Sequence, residues 1–288
     1  MLTDPDIVTG PRLPLVGAPV GPSDRLSSEG GLATELHHVS TIVYAIPGER
    51  VRAIVPAAFE VAEFPINGRR LAWLSITSFL DQWPQPRGGR GAFEQTNYRL
   101  HVLLEGEPGH WLLGASLGSL SAVAARQLWP LPWHLSAMEF QVAYDPAQGR
   151  YRDYRLQVQS QWSNACWEIE DTGTRLDADP GCSSLGPPSP FDLRTCTDYF
   201  IRRDGELGAY RSWQAQTDGT RGKLKVGRCD LLHRLGLLTK DELSHPSLIV
   251  LQPRLACRIY SPAILNTSEP SLSFTDLKGG RGRLAFAS

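Results

Sequence analysis

The amino-acid sequence predicts a β-rich α+β domain in which an antiparallel sheet curls into a barrel or a sandwich. Three observations predict this class. Strand-like segments recur through most of the 288 residues, turn signals rich in glycine and proline separate them, and the helical segments are few and short. With 41% apolar and 20% charged residues, the chain can bury a sizeable core as an ordinary globular protein.

The first half of the chain predicts a strand, two short helices and two hairpins. The β-branched segment HHVSTIVYAI indicates the strand, and the proline-bounded PGERVRAIVP favours one short helix. INGRR at 66–70 and EGEPGH at 105–110 are turn signals between strand-like segments, and each predicts a hairpin. SLSAVAARQLW at 119–129 is the clearest helical segment, because it contains a serine able to cap its start and a proline follows it directly.

The second half adds more strands and one helix. MEFQVAYD and RYRDYRLQVQSQW are strand-like with PAQG as their turn, and YRSWQAQ and SLIVLQPRLACRIYSP are strand-like further on. GRCDLLHRLGLLTKDEL predicts a helix between the last two. The polar connection at 171–190 resembles a domain boundary, but the strands after it are needed to close the sheet. We therefore predict a single domain over 31–265, a mobile leader over 1–30 and a loose tail over 266–288.

Charge, cysteine content and motifs exclude several function classes. The net charge of −1 provides no basic face for nucleic acid or for an anionic membrane. No signal peptide and no apolar run long enough to span a bilayer is visible, so we expect a cytoplasmic protein. The five cysteines form no C-x-x-C pair, and the histidines lack ligand spacing. From this spacing we expect no metal. A nucleophile elbow for Ser-His-Asp catalysis and a phosphate loop are also missing from the sequence, and we expect no cofactor.

The order of motifs along the chain resembles a known superfamily. A proline-bounded helix, VPAAFEVAEF with GRRLAWLSITSF, the Asn-x-Arg of TNYRLHV, and AARQLWPLPWHLSAM follow one another. This order resembles the acetoacetate-decarboxylase-like superfamily and, within it, the uncharacterised YqjF-like division, over roughly residues 39–262. The resemblance implies a curled antiparallel sheet forming a cone-like barrel, with a small-molecule cavity inside and a few helices packed outside. Relatives in the superfamily assemble into oligomers, so a homo-oligomer is one expectation.

The sequence departs from this superfamily at its catalytic position. The decarboxylases have two adjacent lysines in a turn that resembles FPKK, and one of them forms a Schiff base with a keto acid. The matching stretch here is LPWHL, in which Trp133 and His134 occupy the positions of the lysine pair. No lysine occurs between Met1 and Thr220. We therefore expect no Schiff-base decarboxylation by the superfamily mechanism.

One strand-like segment brings candidate binding and catalytic residues onto a single face. In NYRLHVLL a period of two puts Asn97, Arg99 and His101 on one face, and the apolar residues on the other. If the polar face lines the barrel, Arg99 can bind a carboxylate bidentately and His101 can exchange a proton nearby. If that face meets solvent, these are ordinary surface residues. The resemblance favours the first alternative, because Asn97 and Arg99 match the Asn-x-Arg of the division.

The remaining candidates each have a functional and a structural interpretation. His134 is either a general acid/base or a hydrogen-bonded prop for its turn. Trp133 and Trp73 either form an apolar wall for a ligand or pack in the core. Glu94 either shares a proton with a histidine or is solvated at a strand end, and Arg126 either matches an arginine of the superfamily or makes a salt bridge on a helix surface.

The sequence therefore predicts a small-molecule pocket with one of three roles. The first is a cofactor-independent enzyme (a lyase, decarboxylase-like enzyme, cyclase or isomerase) that acts on a carbonyl- or carboxylate-bearing compound. In that enzyme Arg99 anchors an anionic group, and His134 or His101 moves a proton. The second is a protein that binds or sequesters a hydrophobic small molecule without chemistry. A third, weaker alternative is a structural barrel used for contacts with partners.

Overall fold

The computed structural model describes residues 32–66, 68–84, 90–118, 131–176, 195–202, 204–215, 219–260 and 263–264. Its strands are β1 (Leu32–Pro47), β2 (Glu60–Val61), β3 (Glu63–Ile66), β4 (Arg69–Pro84), β5 (Arg90–Leu104), β6 (Glu107–Leu117), β7 (Trp133–Leu135), β8 (Ala137–Asp145), β9 (Arg150–Gln159), β10 (Ala165–Arg175), β11 (Thr195–Ile201), β12 (Leu207–Gln214), β13 (Thr220–Cys229), β14 (Leu248–Ile259) and β15 (Ala263–Ile264). The helices are α1 (Gly48–Arg52), α2 (Asp230–Arg234) and a 3₁₀ turn at Glu242–Ser244.

Seven strands form a closed ring, which is the predicted barrel. Around the ring the order is β1, β4, β5, β6, β11, β12 and β14, and β14 pairs again with β1. All of these pairings are antiparallel except that between β6 and β11, which is parallel. Strands joined by a tight hairpin must be antiparallel, whereas the long connection from β6 to β11 permits either direction. The predicted β-rich class and barrel are confirmed, and the parallel pairing of β6 with β11 within the ring is an addition to them.

Four further strands extend the sheet from β14 and cover the outside of the ring. We call this set the wing; it runs β13, β10, β9 and β8. The main core lies between the wing and the ring, because apolar residues of both belong to one buried cluster. Residues that illustrate this core are Ile42, Leu74, Ile76, Tyr98 and Leu100 from the ring, Tyr154, Leu156, Trp167 and Ile169 from the wing, and Val51 and Leu231 from the two helices.

The other face of the ring strands points into the barrel. Burial raises the pKa of the Cys257 thiol on β14 to about 12, and charges on Asp81, Arg99 and Asp198 also act on it. Because β5, which bears Arg99, lies on the opposite side of the ring from β14, these groups are close only through the interior. Smaller apolar clusters lie elsewhere in that interior, and they include Leu36 with Phe79, Val43 with Trp73, and Leu112 with Phe200.

Most local predictions agree with this structure, and one helix does not. The hairpins at INGRR, EGEPGH and PAQG are confirmed as the connections β3–β4, β5–β6 and β8–β9. The single helix predicted for 227–243 is wrong: α2 ends at Arg234, because Gly236 adopts a left-handed conformation with φ of 69°. The predicted helix at 119–129, the leader and the tail lie outside the described residues.

Candidate functional site

A buried ion pair lies at the centre of the barrel interior. Arg99 donates from Nε to Oδ1 of Asp198 at 2.7 Å and from Nη2 to Oδ2 at 3.1 Å, which is a bidentate geometry. The two side chains are only 10% and 1% exposed. Nη2 of Arg99 also approaches the hydroxyl of Tyr210 at 3.4 Å. The sequence analysis expected Arg99 to bind the carboxylate of a ligand, but two of its nitrogens already bind a carboxylate of the protein.

The ring topology explains why these residues meet. Asp198 on β11 lies beside His110 of β6 on one side and beside Tyr210 of β12 on the other. Across the β5–β6 hairpin, His101 pairs with His110. Residues that pair in adjacent strands present their side chains to the same face, so four neighbouring strands direct polar side chains to one place.

Two histidines and a cysteine complete this cluster, which we call the interior network: Arg99, Asp198, His101, His110, Tyr210 and Cys196. Nδ1 of His110 lies 3.3 Å from Oδ1 of Asp198 and 2.9 Å from Sγ of Cys196. The ring of His101 meets the ring of His110 edge-on, with 4.3 Å between centroids. Within the described residues, the buried Nε2 of His101 has no hydrogen-bond partner. That atom is therefore the open hydrogen-bonding position of the network.

The interior fixes the protonation of the network. Burial opposes the charge on Asp198, but Arg99 and His110 outweigh it and hold the pKa of this carboxyl far below its usual range. Burial also opposes the charge on Arg99, yet Asp198 and Tyr210 raise its pKa. For His101, burial lowers the pKa well below 6.5, and His110 and Arg99 lower it further. The ion pair is thus charged and His101 is neutral at pH 7.

The stability of the protein should fall as the pH decreases from 7 to 5.5, partly because of His101. Its pKa is lowered in the folded state, so below about 6.5 the unfolded chain binds a proton that the folded protein excludes. One such proton changes the free energy of unfolding by at most about 1.4 kcal/mol per pH unit. Urea unfolding of wild type and His101→Gln across this pH range measures how the free energy of unfolding changes with pH. The variant should show the smaller change per pH unit. Burial also lowers the pKa of His38, so some slope should remain. Equal slopes would contradict a neutral buried His101.

The neighbouring residues Trp133 and His134 lie on opposite sides of β7. Trp133 packs against the interior cluster that contains Tyr210. His134 instead stacks on Trp162, with ring centroids 4.0 Å apart and planes 7° from parallel, and Trp162 contacts Tyr98 on the outer face of the ring. The structure therefore places His134 on the face opposite to Arg99, outside the interior network. The physical reason is the alternation of side chains along β7, which turns one residue of the pair inward and the other outward.

The same alternation separates Glu94 from His101. On β5 the odd-numbered residues from 95 to 101 face the interior, whereas Glu94 shares the outer face with Thr96 and Tyr98. Its half-buried carboxylate lies against Gly118. The structure therefore separates Glu94 from His101, and a role for Glu94 in proton transfer stays a prediction. Arg126 lies outside the described residues.

Asn97 and Trp73 lie on the inner face, with different surroundings. Oδ1 of Asn97 accepts a hydrogen bond of 2.7 Å from the side chain of Gln95. Trp73 is 1% exposed and stacks on Phe64 at 4.1 Å between centroids. Its position is that of a core residue at one end of the interior. Within the described residues, its indole nitrogen also lacks a hydrogen-bond partner.

Four residues of the interior network were not among the predicted site residues: Asp198, His110, Tyr210 and Cys196. A signal for two of them is present in TCTDYFI, where a cysteine and an aspartate alternate with residues of a strand that is otherwise aromatic and β-branched. A charged residue inside such a strand indicates a buried polar partner. The partner itself could not be identified, because the parallel pairing of β6 with β11 has no local signature.

The part of the chain that the structure describes lacks two kinds of feature. Within it, no helix combines the length and the apolar character needed to cross a bilayer. In the same residues, no group of three or more histidine, cysteine or acidic side chains has a geometry suited to a metal ion.

Comparison with known proteins gives one family and a set of similar structures. Residues 33–237 match DUF2071, described as an uncharacterized conserved protein. The crystal structure of acetoacetate decarboxylase from Legionella pneumophila gives a TM-score of 0.51 at 12% identity, covering 85% of this chain and 89% of that chain. An acetoacetate decarboxylase-like enzyme from Sphingomonas wittichii RW1 gives a TM-score of 0.51 at 11% identity, covering 81% of this chain and 92% of that chain. At such identities the similarity concerns the fold. The search of curated proteins found no match.

Proposed function

This chain belongs to the DUF2071 family and has the fold of the acetoacetate decarboxylases, and from that premise we propose that it is a cofactor-independent enzyme acting on a carbonyl compound inside its barrel. The reaction class we propose is that of a lyase, cyclase or isomerase. The observation on which the proposal rests is the interior network, and above all the open Nε2 of the buried His101.

Apolar residues could occupy the interior in place of the polar network. Burying an ion pair costs desolvation energy, and well-packed apolar residues of similar volume are often as stable or more stable. A barrel with a purely structural role gains little from two histidines, a tyrosine and an ion pair at its centre. Clusters of titratable groups with strongly shifted pKa values are typical of functional sites. This supports a chemical role for the interior network.

The chemistry we propose begins with proton transfer at His101. A neutral imidazole can take a proton from the carbon next to a carbonyl group through Nε2, and the electron pair of the broken C–H bond moves toward the carbonyl oxygen. Arg99 helps to lower the pKa of His101 and so favours the neutral imidazole that can accept a proton. The buried indole N–H of Trp73 can donate a hydrogen bond to the oxygen on which the negative charge develops. Return of the proton to a different atom completes an isomerisation, and loss of a leaving group completes an elimination.

A Schiff base is not part of this proposal. The positions that match the lysine pair are Trp133 and His134. On β13, which lies outside the ring, Lys225 is about half exposed and forms an ion pair with Glu170 at 2.6 Å. An ammonium group held in an ion pair is a poor nucleophile, because it has no electron pair available to attack a carbonyl carbon.

Hydrogen–deuterium exchange tests the proposal without knowledge of the complete reaction. The full-length protein is incubated in D₂O with a panel of ketones and keto acids, and proton NMR follows the signals of the hydrogens next to the carbonyl. We expect at least one compound to exchange ten or more times faster than in protein-free buffer. If every compound that binds exchanges only at the buffer rate, the enzymatic proposal fails.

A non-catalytic binding protein is the second candidate. The observation that favours it is the apolar wall of the interior, where Leu112, Phe200 and Trp133 pack around Tyr210. A lowered pKa also makes His101 a weaker base than a free imidazole. Binding without any acceleration of exchange would favour this candidate over the enzyme.

A further inference from the structure

The positive charge of the barrel interior is already neutralised by the protein. Both carboxylate oxygens of Asp198 accept hydrogen bonds from Arg99, at 2.7 and 3.1 Å. A ligand carboxylate at this guanidinium would either displace Asp198 or lie beside it. Displacement leaves a buried carboxylate without its counter-charge, and lying beside it brings two negative charges together in a medium of low polarity. Both outcomes disfavour an anionic ligand.

The open hydrogen-bonding atoms of the interior belong to neutral side chains. Nε2 of His101 and Nε1 of Trp73 are buried and, within the described part of the chain, have no hydrogen-bond partners. The residues are 6% and 1% exposed. An indole N–H can only donate, and a neutral imidazole can donate or accept. A carbonyl oxygen is an uncharged acceptor for the indole N–H, and it leaves the lone pair of Nε2 of His101 available to accept the proton of the adjacent carbon.

An apolar cluster lies beside the network. Leu112, Phe200 and Tyr210 form one buried cluster, and Trp133 packs against it. A ligand that binds beside this cluster therefore gains from an apolar body and needs only a small number of polar atoms.

From these contacts we infer that the barrel selects a neutral, largely apolar carbonyl compound and discriminates against carboxylates of the same skeleton. The inference rests on the proposed function and gives it a substrate class. It differs from the sequence-based expectation, in which Arg99 anchors an anionic group of the substrate. The ion pair is instead a fixed element of the site that repels a second anion and leaves the hydrogen bonds of neutral side chains to hold the ligand.

A matched pair of compounds tests this selectivity. Methyl 5-oxohexanoate and 5-oxohexanoate have the same ketone and differ in the charge of the far end, and 2-heptanone is a neutral ketone of similar length. Thermal unfolding of the full-length protein is measured with each. At about 100 times its dissociation constant a ligand should raise the midpoint by roughly 5 °C in a protein of this size. We expect such a rise with the ester or with 2-heptanone, and less than about 1 °C with the acid at equal concentration.

Two phenylalanine variants locate the binding. His101→Phe removes the open nitrogen and should abolish the rise that the neutral compound causes. His134→Phe is the matched control, because this histidine stacks on Trp162 at the outer face, and the rise should persist in it. If His101→Phe does not unfold cooperatively, Trp73→Phe removes the other open donor and should reduce the rise.

The outcomes separate the inference from the proposed function. A rise with the acid that equals or exceeds that with the ester would overturn the neutral selectivity while leaving a ligand-binding barrel. A rise with the ester that persists in His101→Phe and in Trp73→Phe would overturn the assignment to this interior. No rise with any of the three compounds, together with no exchange in the wider panel, would count against the proposed function itself.

Discussion

Asp198→Ala should lower the free energy of unfolding by about 3–5 kcal/mol, the range measured when one partner of a buried ion pair is removed. The reason is that the guanidinium of Arg99 would stay buried without its counter-charge, since its side chain is only 10% exposed. Urea unfolding at pH 7 measures the loss. Asp204→Ala is the control, because Asp204 forms an exposed ion pair with Arg202 and its loss should have little effect. A loss below about 1 kcal/mol for Asp198→Ala would mean that the pair is well hydrated.

Replacement of both partners distinguishes a functional pair from a structural one. Arg99→Met combined with Asp198→Leu removes both charges and fills the space with apolar atoms, so most of the lost stability should return. The same double variant should lose proton exchange with the carbonyl compound. Recovery of stability without recovery of activity would indicate that the pair serves the chemistry, whereas recovery of both would exclude it from the mechanism.

His101→Gln should reduce the rate of proton exchange by about 10²- to 10⁴-fold, which is the usual contribution of a general acid or base. Glutamine keeps a hydrogen-bonding group at this position but cannot take up a proton, so the affinity for the ligand should stay within about ten-fold of wild type. NMR exchange rates and thermal shifts on the same samples separate the two effects. His134→Gln makes the same change on the outer face and should leave the rate unaltered. A full rate in His101→Gln would remove this histidine from the mechanism.

The predictable part of the fold is the part with local signals. INGRR, EGEPGH and PAQG determine hairpins because each joins neighbouring strands through a few residues whose conformations the sequence restricts. The closure of the ring has no such signal. The parallel contact of β6 with β11 and the pairing of β1 with β14 join segments far apart in the chain, and only the complete packing selects them.

The candidate site was predictable to the same extent. Asn97, Arg99 and His101 share one face because a period of two is a local property of the strand, and the apolar residues between them pack under the wing. The choice between Trp133 and His134 depended on which residue of a three-residue strand faces inward, and β6 decides that through its parallel pairing with β7. An error of one residue there reverses the face completely. Asp198 could not be matched to Arg99, since 99 residues separate them.

The closure of the ring also has a consequence for the order of folding. Leu32 at the start of β1 pairs with Ile259 at the end of β14, and β12 binds the other edge of β14. During synthesis on the ribosome the early strands therefore present open edges until the last ring strand has emerged. Contacts between residues so far apart in the chain slow folding. Until they form, the exposed strand edges favour aggregation. Arg99 in particular lacks its counter-charge until Asp198 on β11 has been synthesised.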